Sequence, residues 1–136
     1  MSNVGLFIAQ DITLDEIVGV LETLKEQLDA ELLISGAFGA TLSKDKANVY
    51  MTFIKKGVWG DNALDEMTQT LGIPQYVCIA MEMKPTGLES TALGLRFACA
   101  CVEKWPCVLE NDRIGNKHKI YSGEEICQLL QIGRSP

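Results

Sequence analysis

Histidine is nearly absent from this chain: of 136 residues only His118 is one. A zinc site of the Cys/His type, or a nucleophile relayed through an imidazole, has that single side chain to draw on. Closely spaced cysteine pairs are also lacking, since Cys78, Cys99, Cys101, Cys107 and Cys127 contain no C-x-x-C. No glycine-rich loop ends in Lys-Ser or Lys-Thr, so a phosphate-cradling P-loop is absent. Basic residues are in deficit, 12 Lys and Arg against 18 Asp and Glu, and the net charge of −6 argues against nucleic acid or an anionic membrane as a partner. No apolar run approaches the ~20 residues that a membrane-spanning helix needs. The opening run Val4 to Ala9 has no basic region before it and is too brief for a secretory leader, so it is read as the first strand of an intracellular protein.

What is present is the make-up of an ordinary globular domain: 47% hydrophobic residues, 22% charged residues and only four prolines. Residues 1–136 are expected to form a single domain around one core. The five cysteines are odd in number and lie among apolar neighbours. They are therefore expected to be buried free thiols in a reducing compartment, the cytoplasm.

After the first strand, Thr13 and Glu16 have the spacing of a capping box, which predicts a helix start. Leu14, Ile17, Val18, Leu21, Leu24 and Leu28 then recur at three- and four-residue intervals and form a core-facing stripe. Asp15, Glu22 and Glu26 take the opposite face. Glu31 to Ser43 reads as one extended strand in which Gly36 and Gly39 mark a bulge or a close backbone approach. A polar turn, Lys44-Asp45-Lys46, joins it to a second strand from Ala47 to Ile54. Asp61 is the expected N-cap of a short helix over Ala63 to Leu71 that stops at Gly72, and Gln75 to Met83 is the next strand.

That order predicts an α+β fold with a ferredoxin-like β-α-β-β-α-β core, a mainly antiparallel sheet with two helices on one face. A C-terminal α-β-β-α extension follows. Its first helix, about Ser90 to Lys104, is apolar nearly all round and so expected to be buried. Two short strands come next, Cys107 to Leu109 and Lys119 to Tyr121, and then a last helix started by a second capping box, Ser122 with Glu125.

Few groups are arranged for chemistry. His118 and Cys107 fall on neighbouring predicted segments, but no third group is present to orient them, and an exposed loop histidine is the favoured reading. Cys99 and Cys101, two apart on a helix, point about 200° apart and cannot share a metal. Gly36-Ala37-Phe38-Gly39 matches the G-x-x-G of RNA-binding KH loops only superficially, since strand-like sequence flanks it on both sides. Asp61, Asp65 and Glu66 cluster near Trp59, and Glu110 and Asp112 form a second acidic group. These carboxylates are read as solvated or partner-binding. Trp59, between Gly57 and Gly60, either folds down onto the sheet, the favoured reading, or stands out as an aromatic anchor. The expectation is no catalytic residue, no metal and no cofactor.

The C-terminal third carries a resemblance. Trp105-Pro106-Cys107-Val108-Leu109-Glu110-Asn111-Asp112, then Lys119-Ile120-Tyr121-Ser122-Gly123-Glu124-Glu125-Ile126 and Leu129-Leu130, gives helix, Trp-Pro, strand, acidic turn, strand and Ser-capped helix. This pattern resembles the ends of small acidic immunity proteins from bacterial polymorphic-toxin and contact-dependent growth-inhibition systems. The resemblance implies a cytoplasmic, non-enzymatic protein that occludes a cognate toxin domain, often a basic nuclease. It transfers no individual residue. Trp59, Asp61, Asp65, Glu66, Glu110 and Asp112 are the expected partner-binding residues on chemical grounds, with the acidic face of the first helix as the other candidate surface. Two other classes stand beside this one: a small-ligand-binding or enzymatic ferredoxin-like protein, and a homodimer that buries an open sheet face.

Overall fold

A computed structural model describes residues 2–84, 87–111 and 119–133. Seven strands and four helices follow in the order β1 (Ser2–Ile8), α1 (Leu14–Leu28), β2 (Glu31–Ile34), β3 (Gly39–Lys44), β4 (Ala47–Lys55), α2 (Asp61–Leu71), β5 (Val77–Lys84), α3 (Leu88–Val102), β6 (Cys107–Asn111), β7 (Lys119–Ser122) and α4 (Gly123–Ile132). The strands form one sheet, ordered β2-β3-β4-β5-β1-β6-β7. Every pairing in it is antiparallel.

Both capping boxes form. The Thr13 N–H donates to Glu16 Oε2 at 2.8 Å and the Glu16 N–H donates to Thr13 Oγ1 at 3.2 Å, which satisfies two backbone donors at the start of α1. Ser122 and Glu125 repeat the arrangement at α4, at 3.0 and 3.2 Å. From α1, Ile17, Val20, Leu21 and Leu24 are buried, while Leu14 and Leu28 pack at the margin. Val18 is only half-buried, so the stripe turns slightly further round the helix than the expected spacing placed it.

The extended segment Glu31 to Ser43 is two strands rather than one. Ser35 N–H donates to the Gly39 carbonyl at 2.9 Å, and Gly36 takes φ 66°, so the chain reverses between them. Glycine supplies the positive φ that such a turn requires. The G-x-x-G run is therefore a hairpin turn, not a bulge and not a loop between helices.

The ferredoxin-like topology is not what the sheet displays. A ferredoxin-like core would set the second hairpin strand, β4, beside β1, but here β5 lies between β4 and β1, and β5 and β6, joined by α3, run parallel to each other on either side of β1. Its residues are apolar on both faces, which is the mark of a strand covered twice. Leu6 and Ile8 point into the main core with α1 and α3, whereas Phe7 points the other way and packs with Leu64 and Met67 of α2. The first two helices thus lie on opposite faces of the sheet. β6 and β7 extend the same sheet beyond β1, and α4 packs on α3 and on these two strands. No helix among the described residues is long and apolar enough to cross a membrane.

The five cysteines are not all free thiols. Cys99 of α3 and Cys127 of α4 form a disulfide, with Cα atoms 5.2 Å apart. Cys78, Cys101 and Cys107 are free and buried. An odd count could not exclude one bond plus three thiols, and it took the packing of α4 on α3 to bring these two together. With that bond in place, cysteine usage no longer indicates a reducing compartment.

Candidate functional site: the open half of a sheet face

α2 covers only part of its side of the sheet. Leu64 and Met67 sit over Phe7 and Cys78, with Ile54, Ala63, Leu71, Val108 and Ile120 at the margin. Towards the far ends of β4 and β5 the face is bare. The registers align Thr41, Tyr50 and Glu82 in one row and Gly39, Thr52, Ala80, Gly5 and Glu110 in the next. Side chains two apart on a strand share a face, so these residues stand together.

Small residues make this surface concave. Gly5 and Ala80 contribute almost no side chain, and around them lies a depression of about 350 Å³ bounded by Phe7, Tyr50, Thr52, Ile54, Glu82 and Glu110. A Cβ on Gly5 would stand 2.9 Å from Cε2 of Phe7, because the phenyl ring leans back over the glycine. Carboxylates lie on two sides, Glu82 from β5 and Glu110 from β6. Lys84 pairs with Glu82 at 2.5 Å, and that hydrogen bond, with the attraction between the charges, holds the exposed ammonium above its ordinary pKa.

Exposed aromatic side chains lie on or beside these strands. Trp59 is 41% exposed and meets Phe38 edge-on, with ring centroids 5.7 Å apart. A bridge between Lys55 and Trp59 holds the loop, so the indole stays at the sheet margin instead of entering the core. Tyr50 is 44% exposed. Asp61 is not the N-cap of α2. Gly60 takes that position at φ 71°, and the Asp61 carboxylate accepts the Gly57 N–H at 3.1 Å, which closes the loop that carries Trp59. Asp65 and Glu66 are exposed on α2.

Asp61, Asp65 and Glu66 of α2 and Glu110 beside the depression share the side of the sheet that α2 occupies, whereas Trp59 does not line the depression. Asp112 lies outside the described residues, and so does His118, which leaves its pairing with Cys107 undescribed. Asp15, Glu22 and Glu26 are exposed on α1, in the opposite layer. Tyr50 and Glu82 are members of the surface that were not singled out from the sequence. For Tyr50 and Glu82 the signal was present, since each alternates with buried neighbours, Val49 and Met51 or Met81 and Met83.

The free thiols are poor nucleophiles. Burial, with a contribution from Glu110, pushes Cys78 up to about 12. Burial pushes Cys107 up to about 12 as well, and its Sγ donates to the Trp105 carbonyl at 3.3 Å. Cys101 is also raised, chiefly by burial. At neutral pH these groups are protonated. Among the described residues, no group of three His, Cys, Asp or Glu side chains is placed to hold a metal ion.

Comparison of the chain with protein-family models, with curated proteins and with solved structures finds no match.

Proposed function

We propose that this protein is an immunity-type binding module that neutralises a basic toxin domain by covering it, and that the open half of the sheet face beside α2 is the covering surface. The observation that carries the reading is the meeting of exposed Tyr50 with Glu82 and Glu110 around one uncovered concavity. Aromatic groups supply the desolvated anchors that dominate interface energies. Carboxylates around them favour a cationic partner and speed its approach. The net charge of −6 acts in the same direction at longer range. The C-terminal pattern from Trp105 to Leu130 adds the immunity class, with the cytoplasm as the compartment.

The test is co-expression with the C-terminal toxin domain encoded beside this chain. A complex that survives gel filtration, together with restored growth, is the expected result. Failure of both removes the proposal.

A second reading, a small-ligand-binding protein, draws on the same depression, whose ~350 Å³ is at the lower end of small-molecule sites. A thermal-shift screen of cationic metabolites tests it, and absence of any shift in melting temperature sets it aside.

A further inference from the structure

We propose that the Cys99–Cys127 disulfide is a redox latch on the C-terminal helix: when oxidised it pins α4 to α3, and when reduced it lets α4 leave the body of the protein. α4 packs on α3, β6 and β7, but it buries few apolar side chains. Of its ten residues only Ile126 is buried, with Leu129 and Leu130 half-buried beside it. The helix does not fill its own seat either, because a largely apolar cavity of about 180 Å³ remains between Leu88, Ala92 and Leu95 of α3 and Leu129 and Leu130 of α4. An element that buries few apolar groups is drawn from the low-stability end of a fold.

The covalent bond changes that balance. With Cys99 fixed in α3, whose Phe97, Ala98 and Cys101 are fully buried, α4 cannot swing away as a unit while the S–S bond is intact. Both bonded cysteines are half-buried, so a reductant has a route to them. Cys78, Cys101 and Cys107 are already thiols, which leaves a single bond to cut. Reduction by a dithiol breaks the S–S bond, adds two electrons and two protons to give thiols at Cys99 and Cys127, and converts the dithiol to its own disulfide. The hinge is the junction of β7 and α4 at Ser122 and Gly123. A Cβ at Gly123 would stand 2.9 Å from Cγ1 of Val102, so the two helices meet closely there. Release of α4 bares the apolar side of α3 around Leu95. The redox state of the compartment would then decide which form of the protein is present.

Hydrogen–deuterium exchange on the whole chain, before and after dithiothreitol, tests the latch. In the oxidised protein, thiol titration under denaturing conditions should count three free thiols. After reduction the amides of α4 should exchange at least about tenfold faster while those of β1 and β5 keep their rates, since loss of a cross-link of this length removes a substantial constraint on the opened state. Cys127→Ser should behave as the reduced protein without any reductant, and dithiothreitol should no longer change its exchange. Five free thiols in protein purified under air, or α4 protection unchanged on reduction, would overturn the proposal. If β1 and β5 lose protection to the same degree as α4, the bond is a general staple of the fold and the latch is likewise overturned.

Discussion

Gly5 shows how one missing side chain shapes a surface. The Phe7 ring fills the space above it and is itself held by Leu64 and Met67, so it cannot yield to a new Cβ without disturbing the second core. Gly5→Val is expected to destabilise the fold by about 1–3 kcal/mol, as overpacking of a tight site does. Urea unfolding measures the change, and a loss below ~0.5 kcal/mol would mean that the ring moves freely. This constraint was hidden in the sequence, where Gly5 is one more small residue in an apolar run. Trp59 is the opposite case. Its setting between two glycines left open whether it plugs the core or stands exposed, and the Lys55 bridge and the Phe38 contact decide for partial exposure. The Phe38 contact is not visible in chain order, because two strands, β3 and β4, separate Phe38 from Trp59.

At the scale of elements, the two capping boxes were the most legible features because their signals are local. Thr13–Glu16 and Ser122–Glu125 could be read at three-residue spacing and both form. The β2–β3 reversal was harder, since two glycines inside a β-favouring run fit a bulge as well as a turn. Removing the second cap should be measurable: Ser122→Ala is expected to lower stability by about 1 kcal/mol near neutral pH. Its pH dependence has a definite sign. Hydrogen bonds from Ser122, the backbone one first, hold the Glu125 carboxyl below its ordinary value. A carboxylate lowered in the folded state adds stability above its unfolded pKa and loses it as pH falls through the folded pKa. The gap in melting temperature between the parent and Ser122→Ala should therefore be constant from neutral pH down to the ordinary glutamate range and narrow below it. A gap that stays constant into stronger acid would show that the Ser122 hydroxyl has no part in lowering the Glu125 carboxyl, since the backbone hydrogen bond survives the substitution.

On the scale of the whole molecule, the α+β class and the antiparallel sheet followed from alternating strands and amphipathic helices, but strand order did not. Periodicity shows which face of an element is apolar and says little about its neighbour. β1 was the exception that could have been read further, since Leu6, Phe7 and Ile8 are apolar on both faces and so require cover on both sides. That double cover puts α2 opposite α1, and because α2 is only 11 residues long it leaves the concavity beside it open. If this face receives a basic partner, its two kinds of residue should fail in different ways. Tyr50→Ala should weaken the complex by about 2 kcal/mol, mainly through faster dissociation, as loss of an aromatic anchor does. Glu82→Gln with Glu110→Gln should slow association instead and flatten its dependence on ionic strength, because carboxylates at a surface act over distances that salt screens. Stopped-flow association at low and moderate salt, with dissociation followed by competition, separates the two. If both variants bind as the parent does, the open face is not the docking surface, and the exposed acids of α1, on the opposite layer, become the side to mutate next.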